Sequence, residues 1–134
     1  MITIHLNPRN DPRAPDAPSK VAAKAVTRGL YTFDMMADDI SHSCSLTRAD
    51  VVGCMEALIE HTMRHLEDGY TVDYRGLGRF QLTVDSGWTT PEDAARPDFR
   101  ADSLIKKFKL RFLPNAKLQS RLRATATTQV IDKN

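Results

Sequence analysis

The spacing of the apolar residues changes near Gly69, and this change constrains the fold more than any other feature of the sequence. Before it, apolar residues from Val51 to Leu66 recur every three or four positions, which is the spacing of one face of an α-helix. After it, apolar and polar residues alternate from Val72 to Val84, which is typical of β-strands with one buried face. The sequence therefore predicts a mixed α+β domain.

Two helices are predicted before the change in spacing. Thr32 can cap a helix over residues 33–43. Thr47 and Asp50 form a capping-box pattern, with Asp in place of the usual Glu, at the start of a second helix that should end near Glu67. Two amphipathic helices joined by a short turn predict an αα-hairpin.

A β-hairpin and a polar arm are predicted after the change. Gly76 and Gly78 mark a turn between two short alternating segments. The stretch 85–102 is polar and contains two prolines and the one tryptophan, Trp88, so we expect a long loop or projecting arm. Trp88 could stack on a base, although a lone loop tryptophan more often packs on its own domain or on a partner subunit.

A third strand and a short closing helix are predicted to follow the arm. Leu104–Phe112 alternates again, with Lys106 interrupting its apolar face. Pro114 is expected to be the first residue of the last helix, because proline is favoured at that position. These elements belong to a domain over residues 32–123, and 124–134 is predicted to be a flexible tail.

Residues 1–31 are predicted to form an N-terminal extension. Ile2, Ile4 and Leu6 alternate with polar residues and predict a short half-buried strand. Residues 7–18 contain four prolines and are typical of an extended linker. Residues 19–28 are ambiguous, because their alanine content favours a helix while their short length suits a strand.

Several classes of protein are excluded by the composition. Every apolar run is far shorter than a membrane span requires, and the N-terminus lacks the basic and apolar blocks of a secretory signal. The two cysteines, Cys44 and Cys54, cannot form a disulfide framework. We therefore expect a cytoplasmic protein with no membrane partner.

The net charge of +2 conceals an uneven distribution of charged residues. Residues 34–68 carry a net charge of −6 and residues 80–103 carry −3. Leu104–Arg123, in contrast, contains seven basic residues and no acidic one. Such a block favours a polyanionic partner over the alternative of a face kept basic for solubility.

No catalytic or metal site is predicted. His61 and His65 lie four residues apart in the second predicted helix, but Cys54 does not complete a zinc ligand set, so surface histidines are the better interpretation. The sequence contains no glycine-rich phosphate loop, nucleophile elbow or pair of carboxylates on a recognisable scaffold. We therefore expect neither an enzyme nor a cofactor.

The order of helix, helix, strand, Gly-x-Gly turn, strand, arm, basic strand and short helix resembles that of the bacterial histone-like HU/IHF family. The segment LTRADVVGCMEALIEHTMRHLEDGYTVDYRGLGRFQL is similar to the family's second helix, the glycine before its first strand, and its Gly-Phe-Gly-Thr-Phe turn. The segment KKFKLRFLPNAKLQSRL is similar to the third strand and the closing helix. The resemblance covers roughly residues 33 to 123, and the N-terminal extension resembles a divergent HU-like branch.

This resemblance implies an HU-like fold, with an N-terminal helix hairpin, a three-stranded antiparallel sheet with a projecting arm, and a short C-terminal helix. It also implies an intertwined homodimer that binds double-stranded DNA in the nucleoid with weak sequence preference. If the three strands form one sheet, their basic residues share the surface opposite the apolar face. The candidate DNA-binding residues are Arg75, Arg79, Gln81, Arg96, Arg100, Lys107, Lys109, Arg111, Lys117 and Arg121.

The predicted arm departs from the family pattern. Typical members carry a Gly-Arg-Asn-Pro tip on a basic arm, whereas this arm is acidic and offers only Arg96-Pro97 and Arg100 as loose equivalents. Pro97 is a possible DNA wedge, and an ordinary loop proline is the alternative. The alternative function is an HU-like fold used as a protein-interaction or scaffolding module, through the N-terminal extension or the acidic arm. The choice between DNA and RNA stays open at this point.

Overall fold

A computed structural model describes residues 1–131, so the last three residues of the predicted tail, 132–134, lie outside the described part. The chain forms two separate three-stranded sheets and four α-helices over these residues. In chain order the elements are β1 (Ile2–Arg9), β2 (Lys20–Val26), α1 (Phe33–Ser43), α2 (Arg48–Glu67), β3 (Val72–Tyr74), β4 (Gly78–Ser86), α3 (Pro91–Ala94), a 3₁₀ helix (Ala101–Leu104), β5 (Ile105–Pro114), α4 (Ala116–Thr125) and β6 (Thr128–Val130).

Both predicted helix starts are confirmed. The Thr32 hydroxyl accepts a hydrogen bond from the Met35 N–H at 3.2 Å. Thr47 and Asp50 form the reciprocal capping box, in which each side chain accepts a hydrogen bond from the other residue's backbone N–H at 3.2 Å. The side-chain and backbone hydrogen bonds from Thr47 lower the pKa of Asp50, because they stabilise its charged form.

An ion-pair cluster joins the two long helices. Arg48, the first residue of α2, donates hydrogen bonds to Asp34 at 2.9 Å and to Asp38 at 2.5 Å, both on α1. Two carboxylates beside one guanidinium raise the pKa of Arg48. Below this cluster Ala37 of α1 and Val51 of α2 are buried, so the two helices pack through their apolar stripes.

The main sheet has the order β3-β4-β5 and is antiparallel throughout. Its even-numbered β4 residues pair with the even-numbered β5 residues, so Phe80 lies opposite Phe112 and Leu82 lies opposite Leu110. These side chains share one face, and α2 packs against β3 and β4. The ring of Phe80 contacts those of Tyr74, at a centroid distance of 5.3 Å, and Phe112, at 4.9 Å.

A β-bulge explains why Lys106 interrupts the alternation. Asp85 pairs with Lys107, but the next residue, Ser86, pairs with Ile105, so Lys106 is the extra residue. Because of the bulge, Ile105 lies opposite Ser86 and takes the next place on the apolar face of β5. The prediction that Leu104 begins this apolar face is therefore wrong, because Leu104 ends the 3₁₀ helix.

The predicted helix start at Pro114 is also wrong. Pro114 still pairs with Gly78 as the last residue of β5. The helix is capped instead by Asn115, whose side-chain oxygen accepts hydrogen bonds from the N–H groups of Lys117 at 2.9 Å and Leu118 at 3.2 Å. The asparagine side chain supplies the acceptor that an N-cap needs, whereas proline has no such acceptor and is favoured only at the first helical position after the cap.

The predicted polar arm lies two residues further along the chain than expected and contains two short helical turns. β4 continues to Ser86 and β5 begins at Ile105, so only 87–104 projects from the sheet. Its two ends are joined by a hydrogen bond of 2.7 Å from the Gly87 N–H to the Leu104 carbonyl. Within it, Thr90 caps the single turn of α3.

The second sheet has the order β2-β1-β6 and is built from the two ends of the chain. The ambiguous segment 19–28 contains a strand, and β1 extends through Pro8 into the predicted linker. β6 pairs in parallel with β1, so the prediction of a flexible tail is wrong for residues 128–130. These residues are ordered because the edge of β1 offers them backbone partners, including the Ile4 carbonyl for the Ile131 N–H at 3.0 Å.

The chain buries few of its apolar side chains by itself. Over residues 1–131 the buried apolar residues are Ala37, Val51 and Leu66. The accessible surface is 11793 Å². A compact monomer of 15.0 kDa exposes about 7,000 Å². Much of the apolar surface of this fold is therefore available to a partner.

Among the helices within residues 1–131, none combines the length and the apolar character that crossing a membrane requires.

Candidate nucleic-acid interface

The polar face of the β3-β4-β5 sheet brings together five of the ten candidate residues singled out in the sequence. In the β4–β5 register Gln81 lies opposite Arg111, Thr83 opposite Lys109, and Asp85 opposite Lys107. Cross-strand partners point to the same side of a sheet, and Arg79 follows the same alternation along β4. Arg79, Gln81, Lys107, Lys109 and Arg111 therefore share one face, which we call the basic sheet face.

Two carboxylates on the basic sheet face pair with two of its cations. Arg79 contacts Asp73 of β3 at 3.1 Å, and Lys109 contacts Asp85 of β4 at 3.3 Å. All four side chains are at least 40% exposed, so the pairs are weakly held and open to competition. On this face Lys107 and Arg111 form no salt bridge with any residue that the structure describes.

A groove continues the basic surface beyond the end of the sheet. Arg75, in the turn after β3, lines a cavity of about 590 Å³ together with Lys117 and Arg121 of α4. An adjoining cavity of about 420 Å³ is lined by Arg75 and Arg79. These two cavities connect the basic sheet face to α4, and we call them together the turn–helix groove.

The groove is held in place by backbone geometry. Gly76 and Gly78 adopt φ angles of +79° and +153°, which side chains rarely allow, and this makes the tight turn between β3 and β4. The Asn115 N–H then donates a hydrogen bond of 3.0 Å to the Leu77 carbonyl in the turn. The turn and the start of α4 are thus tied together, and their cations converge on one concave surface.

The arm contributes no comparable basic surface. Arg96 pairs with Asp93 at 3.3 Å, and Arg100 pairs with Asp102 at 2.7 Å. The predicted cations of the arm are thus engaged by neighbouring acids, and Pro97 lies between these pairs. Trp88 is 99% exposed, so it does not pack on its own domain as a lone loop tryptophan commonly does.

The histidines of α2 belong to a helix surface. The rings of His61 and His65 lie 6.3 Å apart, and the His65 Nδ1 atom is 2.7 Å from the His61 carbonyl. Over residues 1–131 no three His, Cys, Asp or Glu side chains are grouped so that they could hold a metal ion. Cys44 and Cys54 are exposed free thiols.

Sequence reasoning found the cations of this surface but missed its two acids. Asp73 and Asp85 stand at odd-numbered positions, as the basic residues of this face do. The alternation of the strands was therefore the signal that could have placed them on the same face. Their pairing with Arg79 and Lys109 depends on which strands lie side by side. The separate position of Arg75, in the groove rather than on the sheet, also depends on that arrangement.

Residues 2–129 match the family described as an HU domain fused to a wHTH, Ig or glycine-rich motif. A crystal structure from Bacteroides vulgatus ATCC 8482, whose given name is "putative bacterial DNA binding protein", superposes with a TM-score of 0.61 at 15% sequence identity. The likeness covers 96% of this chain and 47% of that chain, so this chain spans about half of its length. At this identity the likeness concerns the fold alone. No curated protein matches the sequence.

Proposed function

Because the chain belongs to the family of HU domains fused to a wHTH, Ig or glycine-rich motif, we propose that it binds double-stranded DNA with weak sequence preference. The contacts are to phosphates, through the basic sheet face and the turn–helix groove. Phosphate contacts carry no direct sequence information, which accounts for the weak preference. This function places the protein in the nucleoid, within the cytoplasm, and requires neither a cofactor nor a catalytic residue.

The observation that carries this proposal is the strand register of the main sheet. It collects Lys107, Lys109 and Arg111 with Arg79 on the side opposite the apolar face, and the groove adds Arg75. Lysine and arginine side chains on one continuous surface neutralise phosphates and release counterions. The duplex is preferred over single-stranded RNA, because this face offers charged and polar side chains and no aromatic ring on which a base could stack.

The proposal includes a homodimer that buries the uncovered part of the main sheet. Phe108, Leu110 and Val84 lie on the apolar face but remain 64%, 60% and 51% exposed in the single chain. Within residues 1–131 these side chains stay largely uncovered, because α2 packs on β3 and β4 rather than on β5. A second copy laid on this half hides the apolar rows and places two basic sheet faces on one assembly.

The arm limits how far DNA is bent in this proposal. A wedge must insert an apolar side chain between base steps, and basic contacts beside it must offset the unstacking. The net charge of −3 over residues 80–103 opposes such contacts. DNA therefore lies on the basic sheet face and is bent less than by a typical HU protein.

A second candidate function is a protein-interaction module, and the arm is what favours it. Trp88 is fully exposed on an acidic segment, and tryptophan is among the residues that most often dominate protein interfaces. In that case the chain would bind DNA weakly and a protein partner would cover the arm. The test below separates the two functions.

The test is a salt titration of duplex binding, measured by fluorescence anisotropy. If a dimer engages roughly six phosphates, the log–log salt slope is near −5. Changing Lys107, Lys109 and Arg111 together to Ala should remove most of the binding. Changing three exposed arm residues, Arg96, Arg100 and Pro97, to Ala should leave it nearly intact. A flat salt dependence, or equal binding by the first triple variant, favours the protein-interaction module.

A further inference from the structure

The two faces of the β2-β1-β6 sheet differ sharply in character. Register partners place the even-numbered residues of β1 on one side, opposite the odd-numbered residues of β2. This side, which we call the apolar sheet face, carries no charged residue; its members are Ile2, Ile4, Leu6, Pro8, Val21, Ala23, Ala25, Thr128 and Val130. The opposite side carries Thr3, His5, Asn7, Arg9, Lys20, Lys24 and Gln129 along with Ala22 and Val26.

The apolar sheet face is not covered by the described part of the chain. Leu6, Val21 and Val130 are 57%, 60% and 54% exposed. The contacts of β1 are chiefly with β2 and β6, and no helix within residues 1–131 packs substantially on the sheet. A small sheet is stable in water only when an apolar face is buried, so something must cover this one.

We propose that a second copy of this chain covers it, sheet against sheet. The shape of the face supports this occupant, because the large side chains in the middle of β1 lie beside the two alanines that β2 places on this face. Leu6 lies beside Ala23, and Ile4 lies beside Ala25. A two-fold axis parallel to the strands and between β1 and β2 lays the large row of each copy on the small row of the other. Alternating large and small residues across two facing layers is how such layers interdigitate.

The area to be hidden also favours a second interface between copies. The chain exposes 11793 Å², which exceeds the value for a compact chain of its mass by roughly 4,700 Å². Interfaces of permanent homodimers remove about 1,000–2,500 Å² from each partner. One such contact on the main sheet leaves a large excess, and the apolar sheet face is the second uncovered surface. This contact does not depend on DNA binding, and it turns the basic residues Arg9, Lys20 and Lys24 outward.

The test is cross-linking of the full chain through one thiol at a time. Cys44 and Cys54, which are exposed, are first changed to Ser. Leu6→Cys then places a thiol on the apolar sheet face, and Asn7→Cys places one on the opposite face of the same strand. A short bifunctional maleimide can join two copies only where their thiols approach, since facing sheets lie about 10 Å apart. We expect most Leu6→Cys chains, and few Asn7→Cys chains, to become pairs of twice 15.0 kDa.

A second measurement covers the case in which Leu6→Cys fails to link because the substitution unfolds the N-terminal sheet. Leu6→Lys should lower the average mass in sedimentation, or the stability of the N-terminal sheet, while Asn7→Lys changes neither. Equal linking of the two cysteine variants, or no linking of either, overturns the second-copy contact. Duplex binding of each variant is measured in parallel. A protein that binds DNA but does not link through Leu6→Cys disproves this inference and leaves the proposed function standing.

Discussion

The ring of Phe112 lies directly over Gly78 in the main sheet. A Cβ atom built on Gly78 would lie 2.7 Å from the Phe112 ring and closer still to the Leu113 carbonyl oxygen. Gly78 also has a φ angle of +153°, which disfavours any side chain. The turn before β4 and the contact between the rings of Phe112 and Phe80 thus both require that residue 78 has no side chain.

Replacing Gly78 by Ala should therefore destabilise the fold by about 2 kcal/mol or more, because overpacking and backbone strain act together. Urea denaturation followed by circular dichroism measures the change. Gly87→Ala is the matched control, since its new Cβ would meet Lys106 at an ordinary 3.6 Å. Equal urea midpoints for the two variants would show that the Phe112 ring can move aside at little cost in stability.

Changing Leu110 to Asp should prevent the dimer proposed for the main sheet. Leu110 is 60% exposed on the apolar face, so the new carboxylate would enter the interface without a partner. Thr83→Asp makes the same kind of change on the basic sheet face, beside Lys109. Light scattering should give a lower mass for Leu110→Asp alone. A wild-type mass equal to one chain of 15.0 kDa would reject the dimer altogether.

Removing the carboxylate of Asp85 should strengthen DNA binding. In the chain Asp85 engages Lys109 at 3.3 Å and lies opposite Lys107, so Asp85→Asn releases a cation for phosphate. In a dimer the log–log salt slope should steepen by roughly one to two units. Glu56→Gln changes the net charge equally on α2, which packs on the other side of the sheet. If both variants tighten binding to the same extent, net charge and not the released lysine is responsible.

Pro97→Ala should leave both the affinity and the bend of bound DNA nearly unchanged. The acidic residues around Arg96 and Arg100 leave residues 80–103 with a net charge of −3, which opposes the phosphate contacts that a wedge needs beside it. Energy transfer between the ends of a roughly 35-base-pair duplex, well inside one persistence length, reports the bend. A strong bend that disappears in Pro97→Ala would establish the wedge mechanism.

The capping box of α2 should make stability depend on pH. Hydrogen bonds from Thr47 lower the pKa of Asp50, so this carboxylate stabilises the fold at neutral pH and loses its effect as the pH falls through that lowered value. Asp50→Asn should lower the melting temperature near pH 7, and the difference from wild type should shrink under acid. Asp16→Asn, in the exposed N-terminal loop, should show no such convergence. A difference that stays constant with pH would mean that the charge of Asp50 is not involved.

Local features of the sequence were enough to predict most elements of the HU-like part. The caps at Thr32 and Thr47 define helix starts through hydrogen bonds to residues only three positions away. The alternation from Val72 to Val84 predicts strands, and the acid-free block from Leu104 to Arg123 identifies where positive charge collects. Each of these signals lies within one segment, so no knowledge of distant neighbours is needed.

Other features were decided only when distant segments met. Lys106 becomes a bulge because β5 must keep register with β4, and residues 128–130 become a strand because β1 offers them an edge. Asp85 engages Lys109 across strands that are 24 positions apart in the chain. By itself the sequence determined where the elements and the charges lie. Only the tertiary structure decided which charges face each other and which apolar faces remain uncovered, because both depend on pairing between residues far apart in the chain.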